Sequence, residues 1–532
     1  MKRYDLIVVG AGPAGLSAAI EGAKRGLTVA VFDENQKPGG QLFKQIHKFF
    51  GSKEHKAKVR GFNIGEELLQ NALDLGVEVI LDAIVVGLYP FKEIIINIDE
   101  EVVHYKADAI IVATGASENM VSFPGWTLPG VIGAGAAQTM MNIHGVKPGK
   151  KILMLGSGNV GLVVSYQLLQ AGCELVAIVD AAPQIGGYGV HAAKVARTGV
   201  PFYMSHTIVQ AEGTEYVTGV IIGEVDENWN IVEESEKHFE VDTICLAVGL
   251  SPMSQLLSMA GCEMEEDSEK GGTVPVYNKY GETSVPGIYV AGDVSGIEEA
   301  SSAMIEGRIS GIAASYRLGY IDEEELLREI EIQEESLESL RQGMFAPGNR
   351  KKKFSKTDEG YDISISLLRK GYLGDDEVEK YPGVKKAKGI HPVIECSQNI
   401  PCNPCQDSCP NDCIIVGDNI TALPIYDEKK SCSACGMCVA SCSGQSIFLI
   451  NDDMEDGYSY ITIPYEFLPL PSVGDTGIAL DRSGKEACET EIVDVKSFKS
   501  FDKTNLLTMK VPIEMGKRVR FFKQTEGVIL HG

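Results

Sequence analysis

"DLIVVGAGPAGLSAAIEGAKRGLTVAVFDE", running from Asp5 to Glu34, is the stretch on which the fold turns. An apolar run of strand length meets a GxGxxG turn, a helical pattern follows, and a second apolar run ends in an acid. Within the turn "GAGPAG", Gly10 permits the tight bend and Gly12 lets backbone approach a pyrophosphate. Gly15 lets helix and strand pack closely, with Pro13 and Ala14 between them. Asp33 lies 18 positions past Gly15, where a carboxylate can bond ribose hydroxyls.

The order returns in "KKILMLGSGNVGLVVSYQLLQAGCELVAIVD", Lys150 to Asp180, with Gly156, Gly158, Asn159, Val160 and Gly161 in the turn and Asp180 at the end. Two dinucleotide sites are implied. An acid at Asp180 favours an unphosphorylated ribose, hence NAD over NADP if a nicotinamide binds there. A packing module, or a site for another adenine nucleotide, would read the same way.

Around these units, Met1 to about Tyr320 alternates glycine turns with strand and helix patterns, the signature of an α/β fold with a parallel sheet covered on both faces. Two Rossmann-like dinucleotide-binding domains, one inserted in the other, would take residues 1–117 with 250–320 and residues 118–249. "DEEELLREIEIQEESLESLRQGM" reads as a connecting helix, opening a helical connector and linker over 321–390. A cysteine-rich segment over 391–450 and a small β domain over 451–532 follow, the latter with a hairpin turn at "DRSGKE".

Nine of the 13 cysteines lie between Cys396 and Cys442. Without a signal-peptide pattern, a reduced, cytoplasmic setting fits better than a disulfide framework. Cys432, Cys435, Cys438 and Cys442 have the spacing CxxCxxCxxxC, in which a tight loop aims three thiolates at one cluster and the fourth is expected to start a helix. The partner run is Cys396, Cys402, Cys405 and Cys409. Cross-ligation, in which each run lends its last cysteine to the other cluster, gives two 4Fe-4S clusters in a ferredoxin-like domain. One would use Cys396, Cys402, Cys405 and Cys442, the other Cys432, Cys435, Cys438 and Cys409. A single cluster, or zinc on four thiolates, is the alternative. Cys413 is left over and reads as a small buried residue.

The net charge of -26 opposes binding to nucleic acid or anionic lipid. No apolar run approaches the roughly 18 residues that span a bilayer. "KQIHKFFGSKEHKAKVRG", from Lys44, is locally basic and reads as a solvated loop, or as a segment covering a flavin or docking a partner.

With "GGQ" at Gly39, Gly40 and Gln41, "IIVATGA" containing Thr114 and Gly115, and "VPGIYVAGDV" containing Gly292 and Asp293, the chain resembles the two-dinucleotide-binding-domain flavoproteins, the group that includes thioredoxin reductase. The resemblance implies FAD at Gly10 to Gly15, Asp293 on its ribityl chain, and NAD(H) at the second unit. The redox dithiol of that group is absent: between Ser117 and Gly249 there are only Cys173 and Cys245. "FPGWTLPGVIGAGAAQTM", from Phe123, and "ECSQNIPCNPC", from Glu395, are similar to the large FAD subunit of opine oxidase, hydrogen cyanide synthase and dye-linked proline dehydrogenase complexes. That likeness implies an electron-transfer subunit of a hetero-oligomer. A second flavoprotein subunit of amino-acid-oxidase type would oxidise the amine or amino acid, and no catalytic base is expected in this chain. A stand-alone NAD(P)H:acceptor oxidoreductase resembling the glutamate synthase small subunit, and an iron–sulfur redox sensor or scaffold, are the rival readings.

Overall fold

The computed structural model describes residues 2–349 and 355–524; the basic run Arg350–Phe354 of the expected linker lies outside them. The chain forms two compact units, the first ending at Asn119 and resuming at Gly249, the second taking Met120–Val248 and the chain beyond residue 352.

The first unit is built on a seven-stranded sheet. Lys2–Val9 lies between Val29–Phe32 and Glu101–Val112, parallel to both, and Ile288–Val290 adds to Glu101–Val112 in parallel. Glu93–Ile98 and Ala83–Tyr89 extend it antiparallel. The opening strand reads as an unbroken apolar run because both its faces are buried: Leu6 and Val8 enter one core, Ile7 and Val9 the other. The charged stretch from Asp322 forms the helix Glu323–Leu340, capped where the Asp322 side chain accepts the Glu325 N–H at 2.9 Å. The segment from Lys44 is only partly solvated, with Lys53, Glu54 and Lys58 exposed. Lys48, His55 and Arg60 are each at most 5% exposed, and the imidazole Nε2 of His55 lies 3.1 Å from Ser336 Oγ. Its apolar members explain this, since Phe49 and Ala57 are also buried and pull the chain inward.

In the second unit, Phe202–Met204, Glu174–Asp180, Lys151–Leu155, Thr243–Leu246 and Val131–Gly133 form a five-stranded parallel sheet. Lys151–Leu155 again alternates between two cores, Ile152 and Met154 against Leu153 and Leu155. The strands His391–Ile394 and Ile447–Asn451 bracket the cysteine segment and pair with each other. Through Tyr458–Tyr465 they continue into the C-terminal strands, giving one seven-stranded antiparallel sheet. Residues 450 and 451, between which a domain boundary is expected, therefore lie in one strand. Ile447 and Leu449 face the cysteine core and Phe448 the β core, so that strand serves both. The hairpin at "DRSGKE" joins Thr476–Asp481 to Glu486–Lys496. Among the described residues no helix is long and apolar enough to cross a membrane.

Candidate functional site

The first glycine turn leaves Lys2–Val9 and enters the helix Pro13–Lys24. Gly10 sits at φ +105°, and a Cβ there would stand 2.3 Å from the Ala113 carbonyl oxygen. One at Gly15 would stand 1.8 Å from Gly10 O, so neither position admits a side chain without a backbone shift. Gly12 differs, because a Cβ there would meet nothing within 4 Å. Its open face lies at a helix N-terminus that begins with Pro13 and has no side-chain cap. Unsatisfied N–H groups beside open space are what a pyrophosphate needs.

The other flavin-type motifs gather at the same strand ends. The Gly39 N–H donates to Ala11 O, and Gly40, at φ +53°, packs on Gly12 with Gln41 exposed beyond it. Thr114 Oγ1 donates to Met253 O at 2.8 Å, and Gly115 has open space where a Cβ would be. Gly292, at φ +79°, packs against Ala14, and Asp293 Oδ1 accepts the Glu298 N–H at 3.2 Å. The Gly292 N–H donates to Glu306 Oε2 at 2.9 Å, and Arg341 forms ion pairs with both Glu306 and Glu298. Burial and the neighbouring Glu298 push Glu306 up to about 7, with Arg341 opposing.

The second turn repeats the arrangement. Gly156, at φ +112°, abuts the Ala247 carbonyl; Gly161 abuts Gly156 O; Gly158 is open. Val160, exposed, follows Asn159 at the helix start, and Asn159 Oδ1 accepts the Tyr188 N–H at 2.8 Å.

Both terminal acids are tied to their own turns, which the sequence reading did not anticipate. Asp33 accepts from the Ala11 N–H at 2.6 Å and the Asn35 N–H at 2.8 Å. Asp180 accepts from the Ser157 N–H and Oγ and from the Ala182 N–H, at 2.6 to 2.9 Å. A carboxylate has about four acceptor positions, so each acid braces its own turn and keeps about one position for a further donor.

None of the thirteen cysteines, all of them among the described residues, is joined in a disulfide. A cavity between the two runs is lined by Cys409, Cys413, Cys432, Cys435 and Cys438. Cys442 lies close enough to Cys396 and Cys405 to add to the rise that burial gives both thiols, and Cys396 and Cys438 add to that of Cys405. Cys402 precedes the short helix Pro404–Asp407, its N–H bonded to Ile420 O at 2.8 Å. Backbone N–H groups point at three sulfurs: Ala434 at Cys432, Cys413 at Cys409 and Ser446 at Cys442, at 3.2 to 3.4 Å. The expectation that the fourth cysteine starts a helix is corrected. Gly436, at φ +77°, turns the chain into Met437–Ser441, so Cys438 is in the helix and Cys442 ends it. Cys413 is buried, as expected, but it also lines the cavity. Burial pushes the Cys396 thiol up to about 12 and the Cys405 and Cys438 thiols up as well, so loading a metal would release protons. Among the described residues no three His, Cys, Asp or Glu side chains converge on a single-ion site. Four thiolates on one zinc would stand about 4 Å apart, given Zn–S bonds of about 2.3 Å.

Beside Cys396 and Cys442 lies a polar group with no local sequence signature. Glu395 Oε1 accepts from Arg482 Nη2 and Arg520 Nε, each at 2.6 Å. Arg197 donates to the carbonyl and the side-chain oxygen of Gln445, at 2.8 and 3.2 Å.

The profile of the pyridine nucleotide-disulphide oxidoreductase family matches residues 4–307 and ends before the cysteine-rich segment. An opine oxidase subunit of Agrobacterium tumefaciens (strain Ach5) is 30% identical over 344 residues, 58% of this chain and 65% of that protein. Hydrogen cyanide synthase subunit HcnB of Pseudomonas aeruginosa is 29% identical over 325 residues, 58% of this chain and 70% of that protein. The chain thus spans just under two thirds of the opine oxidase relative. The crystal structure of T. acidophilum thioredoxin reductase superposes with a TM-score of 0.50 at 22% identity, covering 60% of this chain and 100% of that one.

Proposed function

The chain belongs to the pyridine nucleotide-disulphide oxidoreductase family and is an FAD-dependent oxidoreductase, and from that premise we propose that it is the electron-transfer subunit of a heteromeric amine or amino-acid dehydrogenase. In this reading it moves electrons between FAD, two 4Fe-4S clusters and a nicotinamide or other acceptor, in the cytoplasm. The observation that carries it is the grouping of the cysteines across the two runs. Cys409 of the first run lines a cavity with Cys432, Cys435 and Cys438, while Cys442 of the second neighbours Cys396 and Cys405. This grouping, in which Cys405 also feels the charge of Cys438 and Cys413 shares the cavity, supports a cross-ligated pair of clusters of the kind found in two-cluster ferredoxins.

Each element has a part. The open face of Gly12 and the uncapped start of Pro13–Lys24 would receive the FAD pyrophosphate, with Asp293 at the ribityl chain. Gly158 and Asp180 would take NAD(H), and the eight cysteines the clusters. FAD, when bound, exchanges electron pairs with a nicotinamide and single electrons with a cluster. A disulphide relay has little support, since Cys173 and Cys245 are single, buried and far in sequence from any cysteine that could form a CxxC pair with them. The relatives named above are subunits, which supports a second polypeptide as the site of substrate oxidation. The second reading, a stand-alone NAD(P)H:acceptor oxidoreductase, draws on the fully formed second glycine turn.

The test is anaerobic flavin bleaching by a panel of amino acids and N-alkyl amines, on the isolated chain and on whatever complex co-purifies. Reduction by substrate in the complex alone is expected. Rapid reduction of the isolated chain by an amine would overturn the proposal, and rapid reduction by NADH with no complex found would favour the second reading.

A further inference from the structure

Three guanidinium groups are buried together in the second unit, Arg197 at 4%, Arg482 at 6% and Arg520 at 2% exposure. They line one cavity with Glu395, Ser397, Gly444, Gln445 and Ser446, the residues that flank Cys396 and follow Cys442. Their negative partners are too few. Arg482 and Arg520 share one oxygen of Glu395. Arg482 also reaches Asp375, which is 48% exposed and is engaged by Arg518 as well. Exposed Glu359 lies toward Cys396.

Arg197 has neutral partners instead. It donates to the Gln445 carbonyl and side-chain oxygens and lies 5.5 Å from the Phe448 ring centre, while its buried Nε has no hydrogen-bond partner among the described residues. Gln445 holds that position at φ +51°, a conformation uncommon for a residue with a side chain. A buried guanidinium needs opposite charge nearby, and burial alone pulls Arg197 below its ordinary value. Tyr166, Glu395 and then Cys442 are the groups that oppose this, and the Gln445 N–H ties Arg197's partner to Cys442 O at 3.0 Å.

We propose that Arg197, backed by the Arg482–Glu395–Arg520 group, balances the negative charge of a cluster held by Cys396, Cys402, Cys405 and Cys442, and so raises its reduction potential above what its buried setting alone would give. The inference rests on the cluster reading above. Four thiolates bring four negative charges, of which an iron–sulfur core cancels only part, and each electron taken up adds one more. Fixed positive charge nearby favours the reduced form. Arginine suits the task because it stays charged when buried.

The experiment uses the full chain, purified anaerobically, with iron content and a dithionite redox titration followed by electron paramagnetic resonance; Cys442→Ser assigns the signal. Arg197→Gln should keep its iron and lower the midpoint of that one signal. At a fixed poise the ratio of reduced to oxidised cluster should fall about tenfold, or about 59 mV for a one-electron couple. Arg197→Lys should approach the parent midpoint at low pH, where the buried ammonium keeps its proton, and fall to the Arg197→Gln value as pH rises. A parent without iron or without two signals overturns the cluster reading and this inference with it. Two signals in the parent with neither moved by Arg197→Gln overturns the inference alone. Equal iron loss in Arg197→Gln and Arg197→Lys would make the residue a packing element, which also overturns it. So would a midpoint that tracks chloride or phosphate concentration, since a small anion would then balance the arginines.

Discussion

Replacing Glu395 with glutamine removes the one buried carboxylate that holds Arg482 and Arg520 while leaving its size and one acceptor oxygen in place. Its side chain is 9% exposed and accepts three N–H bonds at 2.6 to 3.0 Å. Burial opposes its ionisation, but Arg482 and Arg520 outweigh that and hold it down at about 2. Against the ordinary 4.5, this depression corresponds to about 3 kcal/mol of stability at neutral pH. Breaking a buried ion pair by removing one partner typically costs a similar 3–5 kcal/mol. For a unit of this size, the loss is a fall of about 5 °C in melting temperature. Differential scanning calorimetry of the full chain, with iron measured on the same samples, would read it on the transition of the second unit. Adding Arg520→Met to Glu395→Gln should recover part of the loss, because the orphaned cation goes with its partner. The protection is present above the unfolded carboxyl's pKa and disappears as pH falls toward 2, so parent and variant should converge on acidification. A Glu395→Gln melting temperature within about 1 °C of the parent at neutral pH, with iron unchanged, would refute the reasoning.

Gly12→Ala should fold with parental stability yet bind FAD at least tenfold more weakly, whereas Gly10→Ala should lose stability itself; flavin content and melting temperature separate the two. For Glu306, whose folded pKa lies above the unfolded one, stability should rise as pH drops from 7 toward 4.5. Glu306→Gln should flatten that dependence and stabilise the first unit by about 1 kcal/mol at pH 8, read by flavin-release temperature. Anaerobic protein should contain about eight irons per chain, and predominant zinc would contradict the electron-transfer role. NADH should reduce the flavin faster than NADPH does, and Asp180→Ala should weaken NADH more, with some loss of stability because Ser157 and Ala182 lose their acceptor.

The two glycine turns were legible because everything they require is local: a strand, three glycines at fixed offsets, a helix and an acid. The cysteine runs stand out by spacing alone, and the structure brings Cys409 of the first to a cavity shared with Cys432, Cys435 and Cys438 of the second. What the acids do was not legible, since an aspartate is short enough to reach its own turn's N–H groups, and that is a matter of reach, not of sequence order. The helix near Cys442 was misplaced because the left-handed turn at Gly436 decides where it starts. The arginines escaped notice entirely. Arg197, Arg482 and Arg520 come from three distant stretches with ordinary surroundings, and only packing against Phe448 and Glu395 reveals them. Glu395 alone left a trace, as the acid directly before Cys396.

The pairing of His391–Ile394 with Ile447–Asn451 and the continuation of that sheet through Tyr458–Tyr465 bear on modularity. Sulfur-ligand segments are often imagined as portable cassettes. Here the two stems of the segment are the end of someone else's sheet. A chain cut after Asn451 would strip Ile447–Asn451 of a neighbour and lay bare an apolar edge, inviting self-association. A transplantable version must carry the C-terminal strands with it.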